Sequence, residues 1–529
     1  MSSVPSNVIE NLFVLYNSGR YEELLKSSEV LLQTHAQDPQ IWTLRGACFR
    51  SLGNLERAID AFERSVCLSS HNAEALNNLG LALTENGRLS DAIKQLKQAT
   101  IIAPKMQEAH FNLARCYQKL ENYDQAIPSY CKAIELKPDY AEAFLNLGNI
   151  FSQIGKLEDS IRSYQSALAI RPSFLLARLN LSATLNKLGK TDEAIFEGLE
   201  MTKSNPQNAF VYNNLSTFFT DKGNLEAAVS SITKARKLNP TNPMIKKNLI
   251  KLLTKYQPKK NHDDELMIVN SKLNLLGERA SRSLGHESSI QNFYSEMNSI
   301  TNDIASNIGW SETQIHRTNS VNLGCERHMQ IFNRYNSIPS ACFKCFKIQV
   351  EVTNVINLIK LALIFDNLPI ENTRKCMVET RASVGGNFKG LIYCDDLTEV
   401  IRIKPIVEDF LITAGIEQYS VVEKRGCSEY ALAYPEYGKI VSGQTQKFEF
   451  PKDKWHQHEL DFDAKQEYHV RQKDNPHLRG LTLSDALTIL NWVAYANGIG
   501  DRTLDHPNIS CPSARTVYEM ASETKSPHP

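Results

Sequence analysis

The pattern of apolar and small residues between Pro5 and Asn242 returns every 34 residues. Within one period, apolar residues recur three or four positions apart on both sides of a turn, as they do in amphipathic helices. The clearest copy is residues 141–174, AEAFLNLGNIFSQIGKLEDSIRSYQSALAIRPSF. Seven copies follow one another without an insertion or a deletion. The pattern therefore predicts seven helix–turn–helix units across residues 5–242.

Small residues stand at fixed places of each period, and they indicate how the two helices meet. Glycine occupies the middle of the first helix at Gly46, Gly80 and Gly148. The turn glycines are Gly19, Gly53, Gly87, Gly155, Gly189 and Gly223, and the alanines of the second helix are Ala58, Ala92, Ala126, Ala194 and Ala228. Small side chains allow two helices to cross closely, so each unit is expected to be a tightly packed pair.

In period and in residue types these units resemble the tetratricopeptide repeat family. The resemblance implies a right-handed superhelix of stacked helix pairs, with the first helix of each pair on the concave surface. The first unit, residues 5–38, departs from the pattern because Leu24 replaces the small residue. Residues 243–256 carry apolar residues at helical spacing after the last unit, and they predict a capping helix.

The chain beyond residue 256 has a different organisation. Residues 257–320 predict a helical linker, residues 321–512 predict an α+β domain, and residues 513–529 predict a loose tail. The fold class is thus multidomain, with an all-α superhelix followed by an α+β domain.

Within the α+β domain, residues 346–424 predict a ferredoxin-like core. Strict alternation of apolar and polar residues in FKIQVEV, residues 346–352, indicates a half-buried strand. Further strands are predicted at 374–381, 388–394 and 418–424, and helices are predicted after the first and third strands. The order β-α-β-β-α-β is that of the split βαβ unit, in which the strands lie in the order 4-1-3-2.

A row of asparagines is the first candidate site, and it lies in the first helix of five units. Its members are spaced 34 residues apart and are Asn78, Asn112, Asn146, Asn180 and Asn214. An amide has both donor and acceptor groups, so the row is predicted to bind the backbone of an extended peptide. A similar row is a feature of the superhelical repeats of the O-GlcNAc transferase family, but no part of this chain resembles that family's catalytic half. The alternative is that these asparagines only pack neighbouring helices.

A set of cysteines is the second candidate site. Cys342 and Cys345 form a C-x-x-C motif before the first predicted strand, while Cys394 ends the third and Cys427 follows the fourth. The predicted strand order brings these ends to one edge of the sheet, where four thiolates suit zinc or an iron–sulfur cluster. Cys325 and His328 are alternative ligands. The competing interpretation is that the cysteines, Cys376 included, are buried and inert.

Charge and composition narrow the function classes. Lys and Arg together number 59, as do Asp and Glu, so no net charge points to nucleic acid or to an anionic membrane. No signal peptide or membrane span is recognised, which favours a cytoplasmic protein whose eleven cysteines are mostly reduced. His456 and His458 lie in a polar segment and are expected to be solvated.

These observations predict a protein–protein interaction scaffold. The repeats would hold an extended peptide or a partner helix and present it to the cysteine-rich α+β domain. The alternative is an enzyme that modifies the captured protein through a cysteine-based or metal-based centre in the C-terminal domain.

Overall fold

The structure is a computed structural model. It describes residues 6–258, 264–282, 284, 287–305, 308–317, 325–339, 342, 345–380, 386–425, 430, 434, 452–464, 477–478, 480–501 and 503–504. The chain divides into two compact units, Met1–Leu185 and Asn186–Pro529, which are called unit 1 and unit 2 below.

The described residues 6–258 contain fifteen helices and no strand. They are α1 (Ser6–Asn17), α2 (Tyr21–Thr34), α3 (Pro39–Ser51), α4 (Leu55–Leu68), α5 (Ala73–Glu85), α6 (Leu89–Ile102), α7 (Gln107–Lys119), α8 (Tyr123–Leu136), α9 (Ala141–Gln153), α10 (Leu157–Ile170), α11 (Leu175–Lys187), α12 (Thr191–Ser204), α13 (Ala209–Asp221), α14 (Leu225–Leu238) and α15 (Pro243–Leu253). Helices α1 to α14 are the seven predicted pairs, and α15 is the predicted additional helix. The division between the units falls inside α11, within the sixth pair.

In three helix pairs, a large side chain of the second helix fills the space beside a glycine of the first helix. A Cβ atom on Gly148 would lie 2.6 Å from the ring of Tyr164, sixteen residues later. Gly46 faces Phe62 in the same way. Because real Cβ atoms do not approach this closely, glycine at this position is a packing requirement, as the sequence predicted.

A second repeated contact is a hydrogen bond between the first helix of a pair and the turn before it, and it occurs in four pairs. The fourth residue of α3, α7, α11 and α13 hydrogen-bonds the carbonyl oxygen six residues earlier. The contacts join Trp42 to Ala36 (2.9 Å), His110 to Pro104 (3.0 Å), Arg178 to Pro172 (3.2 Å) and Tyr212 to Pro206 (3.2 Å). Four chemically different side chains thus satisfy the same backbone group, which a search for one conserved residue type would not find.

Unit 2 contains a five-stranded sheet and further helices. The strands are β1 (Gln314–Arg317), β2 (Phe346–Val352), β3 (Arg374–Val378), β4 (Phe388–Cys394) and β5 (Tyr419–Arg425). The helices are α16 (Glu265–Ala280), α17 (Glu287–Ala305), α18 (Cys325–Tyr335), α19 (Val355–Asn367), α20 (Leu397–Thr413), α21 (Lys452–Ala464) and α22 (Leu483–Gly498). The sheet order is β1-β3-β4-β2-β5, and every neighbouring pair is antiparallel.

The positions of β2 to β5 follow the order predicted for the four strands of the core. Helix α19 connects β2 to β3, and α20 connects β4 to β5. Strand β1 lies outside this set, at the edge next to β3, and the sequence analysis placed it in a helical linker. That assignment is wrong for residues 314–317, because four residues with one exposed histidine are too short to show a clear alternation.

Helix α22 is the central element of unit 2. It contacts α15, α16, α17, α19, β1 and β3. Twelve of its sixteen residues are buried, among them Trp492, whose indole donates to the carbonyl oxygen of Thr313 at 2.7 Å. One apolar core therefore runs from the seventh helix pair through α15–α17 to the sheet. The domain boundaries predicted at residues 257 and 321 stay predictions. The shared core contains residues on both sides of each boundary.

A buried ion cluster fixes α22 to the sheet. The guanidinium of Arg317 on β1 donates to both carboxylate oxygens of Asp485 on α22, at 3.0 and 3.1 Å, and also to both oxygens of Asp366 in α19. The exposed fractions of these side chains are 10%, 6% and 9% respectively. Arg317 also donates to the carbonyl oxygen of Gly480 at 3.0 Å. Each hydrogen-bonding group of the guanidinium is thus used, as burial of a charge requires.

Two other sequence predictions differ from the structure or lie outside it. Residues 452–464 form α21, in which His456 is exposed, as the sequence predicted. His458 is half-buried, stacks on Tyr335 at 4.9 Å and contacts the Ser337 hydroxyl at 2.7 Å, so packing accounts for it. The predicted loose tail, residues 513–529, lies outside the described residues.

Replacing Arg317 by Met leaves two buried carboxylates without their cation. We expect the unfolding free energy at pH 7 to fall by about 3–5 kcal/mol. Burial raises the pKa of Asp366, so the folded state takes up its proton more readily than the unfolded state, and stability falls as pH rises between the two pKa values. The variant should therefore recover part of its stability between pH 7 and pH 5.

Urea unfolding followed by tryptophan fluorescence measures this effect. The control is Arg402→Met, which removes an exposed ion pair to Glu399 and should cost less than about 0.5 kcal/mol. Equal losses in the two variants would show that the Arg317 cluster does not stabilise unit 2.

Candidate functional site

In unit 1 the asparagine row lies on successive first helices. Asn78, Asn112, Asn146 and Asn180 belong to α5, α7, α9 and α11. Asn112 is buried, and the other three are half-buried. Helices α5 and α7 contact each other directly, as do α3 and α5. The row therefore runs along a face that neighbouring first helices build together.

Amide pairs connect the first helices of adjoining repeats. Asn112 on α7 donates through Nδ2 to Oδ1 of Asn77 on α5 at 2.9 Å. Asn180 on α11 donates to Oδ1 of Asn149 on α9 at 2.8 Å, and the Tyr164 hydroxyl donates to the same oxygen at 2.8 Å. Two members of the row are thus fixed by hydrogen bonds across the repeat junction, as the helix-packing interpretation requires.

Unit 2 carries Asn214 on α13 and one member that the sequence analysis missed. Asn248 on α15 stands 34 residues after Asn214 and continues the spacing into the additional helix. Its Nδ2 donates to Oδ1 of Asn213 at 2.9 Å, which is the Asn112–Asn77 contact repeated. The 34-residue spacing alone would have identified Asn248, had it been followed beyond the seventh repeat.

These internal bonds leave the amides with further hydrogen-bonding capacity. An asparagine side chain has two N–H donors and an oxygen with two lone pairs, so one bond uses only part of it. Asn146 contacts the buried Tyr130 hydroxyl, whose pKa burial raises, so this phenol stays protonated at neutral pH. Asn112, Asn180 and Asn248 thus have fixed amides, which can still pair with the N–H and C=O groups of a ligand.

The predicted cysteine edge is described only in part. Cys345 precedes β2, and its neighbour Phe346 pairs with Cys394 at the end of β4, so Cys345 and Cys394 come to the same edge of the sheet. Cys342 is buried in a separate apolar cluster with Ile338, Tyr430 and Trp455. Cys427 lies outside the described residues, and so does the side chain of Cys325.

The electrostatics of the described cysteines favour thiols over thiolates. Burial, together with Glu399 and Cys345, raises the pKa of the Cys394 thiol to about 12. Burial likewise raises the pKa of Cys376 in the core. Among the described residues, no three His, Cys, Asp or Glu side chains are grouped as metal ligands. A metal site at this edge would need a ligand outside the described residues, such as Cys427, and it stays a prediction.

The alternative ligand His328 lies on α18. It is half-buried, and desolvation and the neighbouring Arg327 lower its pKa, which keeps the imidazole neutral. Arg327 itself pairs with Asp463 on α21 at 2.6 Å. The described contacts of this segment thus join α18 to α21.

Comparisons with known proteins concern the helical repeats. Models of the tetratricopeptide repeat match residues 115–155, 143–178 and 211–242, and the model of the anaphase-promoting complex, cyclosome, subunit 3 family matches residues 51–133. No family model matches the C-terminal half. No curated protein matches the chain in sequence.

Several solved structures resemble part of the chain. A tetratricopeptide repeat protein from Parabacteroides merdae is 20% identical, with 46% of this chain and 97% of that chain covered and a TM-score of 0.37. PilF of Pseudomonas aeruginosa is 16% identical, with 39% and 93% covered and a TM-score of 0.36. The Cut9–Hcn1 hetero-tetramer of the APC/C is 17% identical, with 47% and 49% covered and a TM-score of 0.39. Among the helices that the structure describes, none has the length and apolar character of a membrane span.

Replacing Asn112 by Ala removes the donor to Asn77, whose amide is also buried. We expect the unfolding free energy to fall by about 1–2 kcal/mol, because a buried acceptor loses its partner. The double variant with Asn77→Ala should lose less than the sum of the single losses, by at least about 0.5 kcal/mol. Urea unfolding monitored by circular dichroism measures the unfolding free energies of the single and double variants. The matched control is Asn78→Ala, at a half-buried position. Additive losses would contradict the Asn112–Asn77 bond.

Metal analysis tests the cysteine prediction. If Cys342, Cys345, Cys394 and Cys427 hold zinc, purified protein should contain about one zinc per chain, and a chelator should lower the unfolding temperature. Cys345→Ser should abolish the bound metal, whereas Cys67→Ser, at an exposed position of α4, should not. Protein without metal, whose unfolding temperature does not change with chelator, would contradict the prediction and leave the cysteines as buried thiols.

Proposed function

We propose, from the premise that residues 51–242 are tetratricopeptide repeats, that this protein is an interaction scaffold whose first helices bind an extended segment of a partner protein. Stacked repeats of this kind offer a continuous surface and no enclosed pocket, so they suit a ligand with its own extended shape. The absence of net charge leaves recognition to local groups along the surface.

The observation that supports this proposal is the asparagine row with its amide pairs. An extended peptide presents one N–H and one C=O group per residue, and an amide side chain can pair with both. The Asn112–Asn77 and Asn180–Asn149 bonds in unit 1, and the Asn248–Asn213 bond in unit 2, hold the amides in place before a ligand arrives. Such preorganisation reduces the entropy that binding would otherwise cost.

The second part of the proposal concerns the C-terminal region. We infer that β2 to β5 with α19 and α20 are a ferredoxin-like core, extended by β1, to which the repeats present the bound segment. The strand order supports the first inference. The apolar core that α15–α17 share with the sheet supports the second, because a shared core holds the last repeat and the sheet in one arrangement within unit 2.

Selection from a displayed library of random 12-residue peptides on the full-length protein tests the proposal. The affinity of enriched peptides is then measured by fluorescence anisotropy. For peptides bound to unit 1, the double variant Asn78→Ala with Asn146→Ala should weaken binding by about 30-fold, since each lost hydrogen bond is worth about 1 kcal/mol.

Asn239→Ala is the matched control, because Asn239 caps the end of the second helix α14. It should leave the affinity unchanged. Equal affinity of the double variant and the wild type, with both shown to be folded by circular dichroism, would contradict peptide binding along the first helices of unit 1.

A further inference from the structure

Two large apolar side chains of unit 2 face solvent at equivalent positions. Phe210 is the second residue of α13 and is 42% exposed, and Met244 is the second residue of α15 and is 56% exposed. Each stands four residues before a member of the asparagine row, Asn214 and Asn248 respectively. Residues four apart share one helix face, so both apolar side chains lie beside the row.

Packing of the repeats does not account for their exposure. The neighbouring Val211 and Ile245 are fully buried, so each helix already has an apolar side chain directed into the core. The same position carries glutamate in three repeats of unit 1, at Glu74, Glu108 and Glu142, and an exposed leucine, Leu176, in a fourth. A polar residue therefore suits this position where only folding matters, and exposed apolar residues beside a polar row indicate an interaction surface.

Helix α15 adds positive charge to the same surface. It contains Lys246, Lys247 and Lys251 and no acidic residue within Pro243–Leu253. Lys247 and Lys251 follow Met244 by three and seven positions and therefore share its face. Lys251 is 62% exposed and lies 3.6 Å from Glu312, an ion pair that water largely screens.

The two helices hold these groups at a fixed separation. Helices α13 and α15 contact each other, and the Asn248–Asn213 bond ties them one turn from Phe210 and Met244. Packed helix axes lie about 8–10 Å apart, which an extended chain crosses in about three residues. A single short segment can therefore touch both apolar side chains and the lysines.

We infer that Phe210, Met244, Lys247 and Lys251, here called the apolar–lysine strip, select partner segments that combine large apolar residues with acidic residues. This inference rests on the proposed function and specifies the chemistry of its ligand in unit 2. The apolar side chains of the segment cover Phe210 and Met244, and its carboxylates pair with the lysines. The amides of Asn214 and Asn248 bind the backbone between them.

The same library selection, repeated on variants of the full-length protein, tests this inference. Peptides enriched on the wild type should carry more Asp, Glu and large apolar residues than the unselected library. On the variant Lys247→Glu with Lys251→Glu, the enriched peptides should carry more Lys and Arg, and the wild-type peptide should bind at least about tenfold more weakly. Phe210→Ser with Met244→Ser should abolish the apolar enrichment.

Phe196→Ser is the matched control for removal of an exposed aromatic residue. Phe196 is 62% exposed on α12, a second helix, and its loss should leave the enrichment unchanged. Circular dichroism of every variant separates loss of binding from loss of folding, and all substituted residues are at least partly exposed.

The outcomes distinguish this inference from the proposed function. Enriched peptides without an acidic or apolar bias, whose binding is lost with Asn214→Ala, would overturn the inference and support the proposed function. Peptides of the expected composition whose binding is unchanged in both strip variants would also overturn the inference. No enrichment, or enrichment that no first-helix variant alters, would overturn both.

Discussion

The architecture of unit 2 depends on one buried guanidinium. Arg317 connects β1 to Asp366 in α19 and to Asp485 in α22, residues that stand 49 and 168 positions away in the chain. A buried charge without partners costs several kcal/mol, so β1, α19 and α22 must be in place together. The start of α22 is fixed on its other side as well, since Leu478 donates to the carbonyl oxygen of Thr254 at 2.7 Å and Leu483 donates to Asn270 at 2.8 Å. The sheet and the helices that follow the repeats are therefore parts of one packed structure.

The repeats depend on a different and purely local constraint. In three pairs a glycine lies where the second helix crosses the first, and Tyr164 opposite Gly148 shows how little room is left. Hydrogen bonds such as Asn112–Asn77 then join one pair to the next. The same asparagines thus have a structural role and, by our proposal, a binding role. The two are compatible because one amide can form several hydrogen bonds.

Local features were predictable from the sequence, and long-range contacts were not. The 34-residue spacing predicted all seven helix pairs, and helical spacing of apolar residues predicted α15. Alternation predicted β2, and the split βαβ order of elements predicted the positions of β2 to β5. Strand β1 was not predicted, because Gln314–Arg317 is short and polar. Its place in the fold depends on Asp485, which lies far along the chain. The asparagine row was predicted, but the hydrogen bonds from its members to Asn77 and Asn213 were not. The position of Asn77 and Asn213 does not carry asparagine in every repeat. For the cysteines, Cys345 and Cys394 lie at the same end of the sheet, whereas the apolar surroundings of Cys342 depend on Tyr430 and Trp455.

The structure of the full-length protein with a selected peptide tests the central claim most directly. The account predicts an extended peptide on the first helices, with backbone N–H and C=O groups about 2.7–3.2 Å from the side-chain amides of Asn78, Asn146 or Asn214. In unit 2, the apolar side chains of the peptide should contact Phe210 and Met244. A peptide bound to the second helices or to the sheet, with no contact to the asparagine row, would contradict the account.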